Sequence, residues 1–172
     1  MQHAPIPATE EYLRQARELL AAESTLTLSA VAADGQPHAA PVFYLPATLP
    51  EAGGPVSLSP GCLDLVWLSS PSSLHSACLH ADPRAAAAIY RPTFAWRQIA
   101  GVQMHGHCSV VDGQERAALL PRYCGRFQLG SILSLAIRRS TLYRFRPRWV
   151  RLLDNRRGFG WKQEFLLPAE EL

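Results

Sequence analysis

Ile99-Ala100-Gly101-Val102-Gln103-Met104-His105-Gly106-His107-Cys108-Ser109-Val110-Val111 is the stretch that decides the fold. Val102, Met104, Cys108 and Val110 take one side of an extended chain, and Gln103, His105, His107 and Ser109 take the other. That period of two belongs to a long strand with one buried face. Asp112-Gly113 then closes the strand as a turn.

Working outward, the same period recurs. Leu26, Leu28 and Ala30 alternate with threonine and serine until Asp34-Gly35 supplies a hairpin turn, and a return strand covers roughly His38 to Leu45. Leu63 to Leu68, Ala85 to Tyr90 and Thr141 to Leu153 read as further strands, which makes six, and Arg157 to Leu166 adds an extended segment. Helical signals are fewer. Thr9 with Glu10 and Glu11 opens a helix over residues 8–22, with Leu13, Ala16, Leu19 and Leu20 on one face. Ser69-Ser70-Pro71-Ser72-Ser73 offers N-caps for a short helix through about His80, which Asp82-Pro83 stops, and another helix covers about Gln114 to Cys124. Residues 46–61, with four prolines and three glycines, read as a surface loop.

Strands joined by hairpins, without the helical crossovers that parallel pairs need, predict a mainly β protein with short α insertions. The expected form is a closed or nearly closed antiparallel barrel of six strands, one domain over residues 1–172. No apolar run is long enough to cross a bilayer and the N-terminus lacks signal-peptide character, which predicts a cytoplasmic protein. Cys62, Cys78, Cys108 and Cys124 are scattered without a CxxC, so neither a zinc site nor a disulfide framework is indicated. The net charge of +3 selects no partner.

Four groups of residues bear chemistry. The first is Trp67-Leu68-Ser69-Ser70-Pro71-Ser72-Ser73-Leu74-His75, a strand that ends in hydroxyls at a helix N-terminus. Hydroxyls, free backbone N–H groups and the helix dipole suit an anion such as phosphate; the same serines serve equally as helix caps. The second is the polar face of the quoted strand. His105 and His107 point the same way but lack an obvious third metal ligand, so no metal site is assigned. Gln103 both donates and accepts, as a flat heterocycle requires.

Asp154 to Lys162 is the third, with paired glycines in Gly158-Phe159-Gly160 followed by a stacking Trp161 and a cation, Lys162. It lacks the third glycine and the strand–helix context of a dinucleotide fingerprint. The fourth is a run of eight arginines between Arg138 and Arg157, in which Arg144, Arg146 and Arg148 are expected on one strand face, opposite Tyr143, Phe145 and Trp149. A nucleophile elbow is absent, and no catalytic residue is assigned.

Taken in order, Ala40 to Leu45, Val66 to His75 with Leu79, Asp82 to Ala86, Ile99 to Gly106, and Asp154-Asn155 with Gly158-Phe159-Gly160 resemble the pyridoxamine 5'-phosphate oxidase-like split-barrel family. Within it they resemble a subgroup of small bacterial proteins, over about Glu10 to Phe165. The resemblance implies a six-stranded antiparallel split β-barrel of Greek-key type, and a homodimer with two FMN sites at the subunit interface, each built from both chains. Carried over by position, Val42, Phe43 and Tyr44 lie along the flavin ring, Ser69, Ser70 and His75 at the phosphate, and Gln103 at the polar ring edge. Trp161 and Lys162 approach from the C-terminal segment. The family's oxidase has an Arg-Lys pair where this chain has Leu74-His75, and basic residues where it has Ala40 and Val42, so charge-assisted phosphate contacts are fewer.

The function implied is that of an FMN-binding flavoprotein, an oxidoreductase acting on a small molecule. The oxidase's basic substrate-binding residues are not recognisable in Arg156 to Leu172. The alternatives are a non-enzymatic binder of another flavin, a deazaflavin or haem, with His75, His105 or His107 as iron ligand, and an arginine-rich nucleic-acid-binding module.

Overall fold

The computed structural model describes residues 6–7, 10–47, 63–130 and 133–167. Their order is β1 (Ile6–Pro7), α1 (Glu10–Ala22), β2 (Thr25–Val31), β3 (Pro37–Phe43), β4 (Leu45–Pro46), β5 (Leu65–Ser69), α2 (Leu74–Ala81), β6 (Arg84–Tyr90) and β7 (Ala100–Val111). There follow α3 (Gly113–Arg126), α4 (Ser134–Arg139), β8 (Thr141–Asp154) and β9 (Lys162–Leu166).

One mainly antiparallel sheet curls around the core. From β3 the pairing runs through β2, β6 and β7 to β8. The chain leaving β3 continues as β4, which pairs with β5, and β5 pairs with the first part of β8, Thr141 to Phe145. That pairing brings the sheet round on itself as a split barrel. Along Pro37–Phe43, β3 pairs only with β2, so among the described residues the wall between β3 and β5 is joined only through the short β4.

Among the described residues seven strands have five or more residues, not the expected six. The seventh is β9, antiparallel to Trp149–Leu153 of β8. What makes it a strand is Phe165, which is fully buried and stacks on Tyr12 of α1 at 6.3 Å; burial of such a side chain is worth about 2–3 kcal/mol. The expected return strand from His38 to Leu45 is broken at Tyr44, whose N–H donates to the Ser24 carbonyl instead of a sheet partner. Helix α4 was not expected, because none of its residues is buried and it carries no apolar period. It is tied down by the Arg116 guanidinium, which donates to the carbonyls of Ile137 and Ser140.

Helix α1 begins with Glu10 and Glu11 against the positive end of its dipole and buries Leu13, Ala16 and Leu20. Its last turn has no basic residue of its own. Arg126 of α3 donates to the carbonyls of Ala21 and Glu23 at 3.0 and 2.8 Å, satisfying groups a helix C-terminus leaves open. Of the expected surface loop at 46–61, Pro46 belongs to β4 and residues 48–61 lie outside the described residues, as do residues 8 and 9 of the expected first helix and Cys62.

Candidate functional site

The end of β5 and the start of α2 form a compact polar cluster beside the split. Ser73 is the N-cap of α2: its backbone is extended, and its Oγ accepts the Ser76 N–H. The Ser76 hydroxyl donates to the Ser70 carbonyl at 2.8 Å, which closes the turn around Pro71. His75, in the first turn, folds back so that its Nε2 meets the Ser69 and Ser73 hydroxyls, the latter at 3.1 Å. The two hydroxyls are 3.1 Å apart. Ser69, Ser73 and His75 thus converge at a helix N-terminus whose outermost N–H groups, those of Leu74 and His75, have no turn before them to bond.

Across the split, His38 of β3 lies parallel to His75, the rings 6.3 Å apart with 5° between their planes. Burial, and secondarily the charge of His38, push the His75 pKa below the usual imidazole value. A neutral imidazole donates or accepts one hydrogen bond at each nitrogen, so the cluster is a hydrogen-bonding cradle without a permanent cation.

The other expected site residues are dispersed. Phe43 is 57% exposed, its ring 5.0 Å from Phe127, and its carbonyl accepts from the Tyr123 hydroxyl. Val42 is half-buried against the core. Tyr44 departs from expectation: its side chain is fully buried and its hydroxyl donates to the Leu20 carbonyl at 2.7 Å, so only its backbone borders the split. The alternation along β3 turns His38, Ala40 and Val42 inward and Pro37, Ala39, Pro41 and Phe43 outward. Ser70 is exposed, its hydroxyl 2.8 Å from that of Ser72 and outside the cluster.

Gln103, Trp161 and Lys162 lie elsewhere. Gln103 is exposed and accepts from Arg151, which also pairs with Glu164. Trp161 packs on Tyr12 under the Arg157 guanidinium, and Lys162 is exposed opposite Leu153. Ser69 pairs with Thr141 at the start of β8, whereas Lys162 pairs with Leu153 near its end. A strand rises about 3.3 Å per residue, so about 40 Å of strand separates Ser69 from Lys162 within one chain. The Asp154–Lys162 stretch is a structured turn: Asn155 accepts from the Gly160 N–H and donates to the Trp96 carbonyl, while Gly158 and Gly160 adopt φ of 140° and 70°.

The arginine run is largely spoken for. Arg144 and Arg146 pair with the buried Asp64, Arg144 also with Glu115, and Arg156 with Asp154. Cys78, Cys108 and Cys124 are free thiols, and burial pushes Cys108 up to about 12. Among the described residues no three His, Cys, Asp or Glu side chains gather as a metal site, and no helix is long and apolar enough to cross a membrane.

Two members of the cluster were not singled out from the sequence. Ser73 lay within the quoted serine run, and the signal for it was its place immediately before the first helical residue. His38 shares the inward face of β3 with Ala40 and Val42, so the alternation of that strand was its signal.

A search of curated proteins finds no match. Among solved structures, a haem-binding protein from Mycobacterium smegmatis is similar at 22% identity with a TM-score of 0.67, over 94% of this chain and 59% of that one. This chain therefore spans about three fifths of that relative's length. A Clostridium acetobutylicum protein described as related to general stress protein 26, of the pyridoxinephosphate oxidase family, matches at 12% identity and TM-score 0.61 over 92% and 96% of the two chains. An FAD-binding protein from Mesorhizobium loti matches at 19% and 0.53 over 80% and 90%. These likenesses establish the fold. The family model described as pyridoxamine 5'-phosphate oxidase matches residues 13–154, most of the sequence, and the chain belongs to that family.

Proposed function

We propose that this protein is an FMN-binding flavoprotein, a cytoplasmic oxidoreductase acting on a small molecule, whose cofactor phosphate is held by Ser69, Ser73 and His75 at the start of α2. The observation that carries this reading is the convergence of two hydroxyls and an imidazole on one helix N-terminus beside the split. The donor set fits a phosphate: the Ser69 hydroxyl, a ring N–H and unbonded backbone N–H groups donate, while the Ser73 hydroxyl, which donates to Ser76 Oγ at 2.8 Å, orients the turn, and the helix dipole favours the negative charge. The lack of an Arg or Lys in the cluster predicts weaker holding than charge-assisted contacts give. When bound, the flavin supplies the redox chemistry, and the protein supplies position and electrostatics.

The roughly 33–40 Å of strand between the α2 cluster and the positions where Gln103 and Lys162 pair with β8 supports a homodimer. A site using both groups takes one from each subunit. Phe43, 57% exposed, and the outward Pro37, Ala39 and Pro41 make β3 an apolar edge suited to such a contact.

A second reading is haem binding on the same fold. It is favoured by the stacked, half-buried His38 and His75, since a neutral imidazole is an iron ligand. The absorption spectrum of the purified protein separates the two. Flavin bands with FMN released on heating support the first reading, a Soret band supports the second, and a colourless protein that ignores both added cofactors overturns both. Steep salt dependence of oligonucleotide binding would instead revive the nucleic-acid alternative.

A further inference from the structure

The end of the barrel away from α2 carries exposed aromatic side chains, and a bulge in the β7–β8 ladder sets where they lie. His105 pairs with Trp149, but the next residue, Gly106, pairs with Pro147, which makes Arg148 an extra residue on β8. Pro147 has no N–H to offer a ladder. At Gly106 an added Cβ would overlap the Arg146 carbonyl oxygen and lie 2.8 Å from the Pro147 Cα, so only glycine permits the close approach.

The bulge reverses the facing of everything after it. Arg144 and Arg146 alternate with the buried Tyr143 and Phe145, but beyond Arg148 it is Trp149, Arg151 and Leu153 that alternate with the buried Val150, Leu152 and Asp154. Trp149 therefore shares the outer face with the arginines, contrary to the strict alternation expected from sequence, and stacks there on His105 at 4.5 Å. The same phase leaves Asp154 and then Asn155 buried where the strand ends.

Asn155 clasps two turns together. Its Nδ2 donates to the Trp96 carbonyl at 2.8 Å, its Oδ1 accepts the Gly160 N–H at 3.0 Å, and its backbone N–H donates to the Ile99 carbonyl at 2.9 Å. The turn between β6 and β7, residues 91–99, thus lies beside the turn between β8 and β9, and Trp96 meets Phe159 edge-on at 5.6 Å. What the clasp holds out is apolar. Phe94 is fully exposed and Phe159 is 83% exposed, with Tyr90 and Trp96 exposed beside them. Rings fixed by a buried, fully hydrogen-bonded side chain and still left to water mark a contact surface.

A second apolar patch surrounds the α2 cluster, where Leu74 and Phe43 are exposed and Pro41 points outward along β3. The two patches lie toward opposite ends of β8, since Ser69 pairs with Thr141 while Tyr90 pairs with Gly101 and Gly101 with Leu153. In a two-fold dimer each surface is used twice, so the aromatic end of one chain seats on the α2 end of the other and both apolar patches leave water together.

We infer that Phe94, Trp96 and Phe159 form an aromatic bracket that crosses to a second copy of this chain and roofs the cofactor site at its α2, against Leu74 and Phe43. What the bracket covers rests on the flavin reading above; where it seats does not.

The test uses the purified full chain as the parent, as Phe94→Ser/Phe159→Ser, and as His75→Ala, with sedimentation to read the dimer and quenching of flavin fluorescence to read FMN. Both phenylalanines are exposed within one chain, so urea unfolding of the serine pair should match the parent at concentrations where both are monomeric. The expected result is a dimeric parent, with dimer and FMN affinities each weakened about tenfold or more in the serine pair. Mixing the serine pair with His75→Ala should restore tight FMN binding to about one chain in four, because about half of the dimers are mixed and each mixed dimer has one complete site. A monomeric parent, or a dimer whose mass and FMN affinity the serine pair leaves unchanged, would overturn the inference. So would a mixture that binds no more FMN than its two components apart. A dimer that the serine pair weakens while no form takes up FMN would support the seating and overturn the flavin reading alone.

Discussion

The start of α2 and the outer face of β7 and β8 are both polar surfaces rich in histidine or arginine, yet they are made in opposite ways. At α2 the cluster is local: Ser69, Ser73 and His75 lie within seven consecutive residues, and a cap, a turn and one helical step bring them together. On the β7–β8 face nothing is local. His105 meets Trp149 across a ladder whose register is set by Gly106 and Pro147. Local clusters survive errors in long-range reading, whereas a cross-strand surface is reversed by a single inserted residue.

The substitution that strikes the second region hardest is Gly106→Ala. The new Cβ has to displace backbone rather than a flexible side chain, so a loss of about 3–5 kcal/mol is expected in urea unfolding. A loss below about 1 kcal/mol would mean that the bulge yields easily and does not fix the face.

Tyr44→Phe tests the boundary between the first region and the core. It should cost about 1–3 kcal/mol, the price of leaving the buried Leu20 carbonyl unpaired, while cofactor binding at a given folded fraction stays as it was. A selective loss of FMN affinity would put the hydroxyl back at the site.

Within the first region, Ser69→Ala and His75→Ala should each weaken FMN about tenfold, as loss of one hydrogen bond to a charged group does, and leave the melting curve nearly unchanged. The two effects should not add, since the groups touch each other.

The pH response has a definite sign. The folded protein holds the His75 pKa below its ordinary 6.5, so the unfolded chain binds the proton more readily. The stability that comes from keeping this imidazole neutral is present above about pH 6.5 and is lost as the pH falls through the lowered value. His75→Gln should flatten that part of the stability curve, which parallel urea titrations between pH 7.5 and 5, chosen to bracket the imidazole range, would reveal. The smallest effect is expected from Ser70→Ala, within about 0.5 kcal/mol of the parent and without change in FMN affinity, because that hydroxyl points to Ser72 and solvent.

What was legible in the sequence follows the same division. The hairpins, the period of two and the serine caps reveal the barrel, α1 and the α2 cluster, because each is a short-range signal with its own physical cause. Strand β9 was readable only as an extended segment, since its strand character depends on Phe165 reaching α1. Tyr44 looked like a site residue by position and is a core residue by the twist of the chain at the β3–β4 break. The side chosen by Trp149 was hidden, because alternation counted through Arg148 assumes a ladder without a bulge. Helix α4 has no apolar face to announce it and is held by one arginine from α3.

The central claim is that the start of α2 holds a phosphate, and the most direct measurement compares the affinities of FMN and riboflavin for the apoprotein by quenching of flavin fluorescence. FMN is expected to bind at least about tenfold more tightly than riboflavin, and Ser69→Ala and His75→Ala to erode this preference while hardly touching riboflavin. Equal affinity for the two flavins, or a preference for FMN that survives both substitutions, would contradict it.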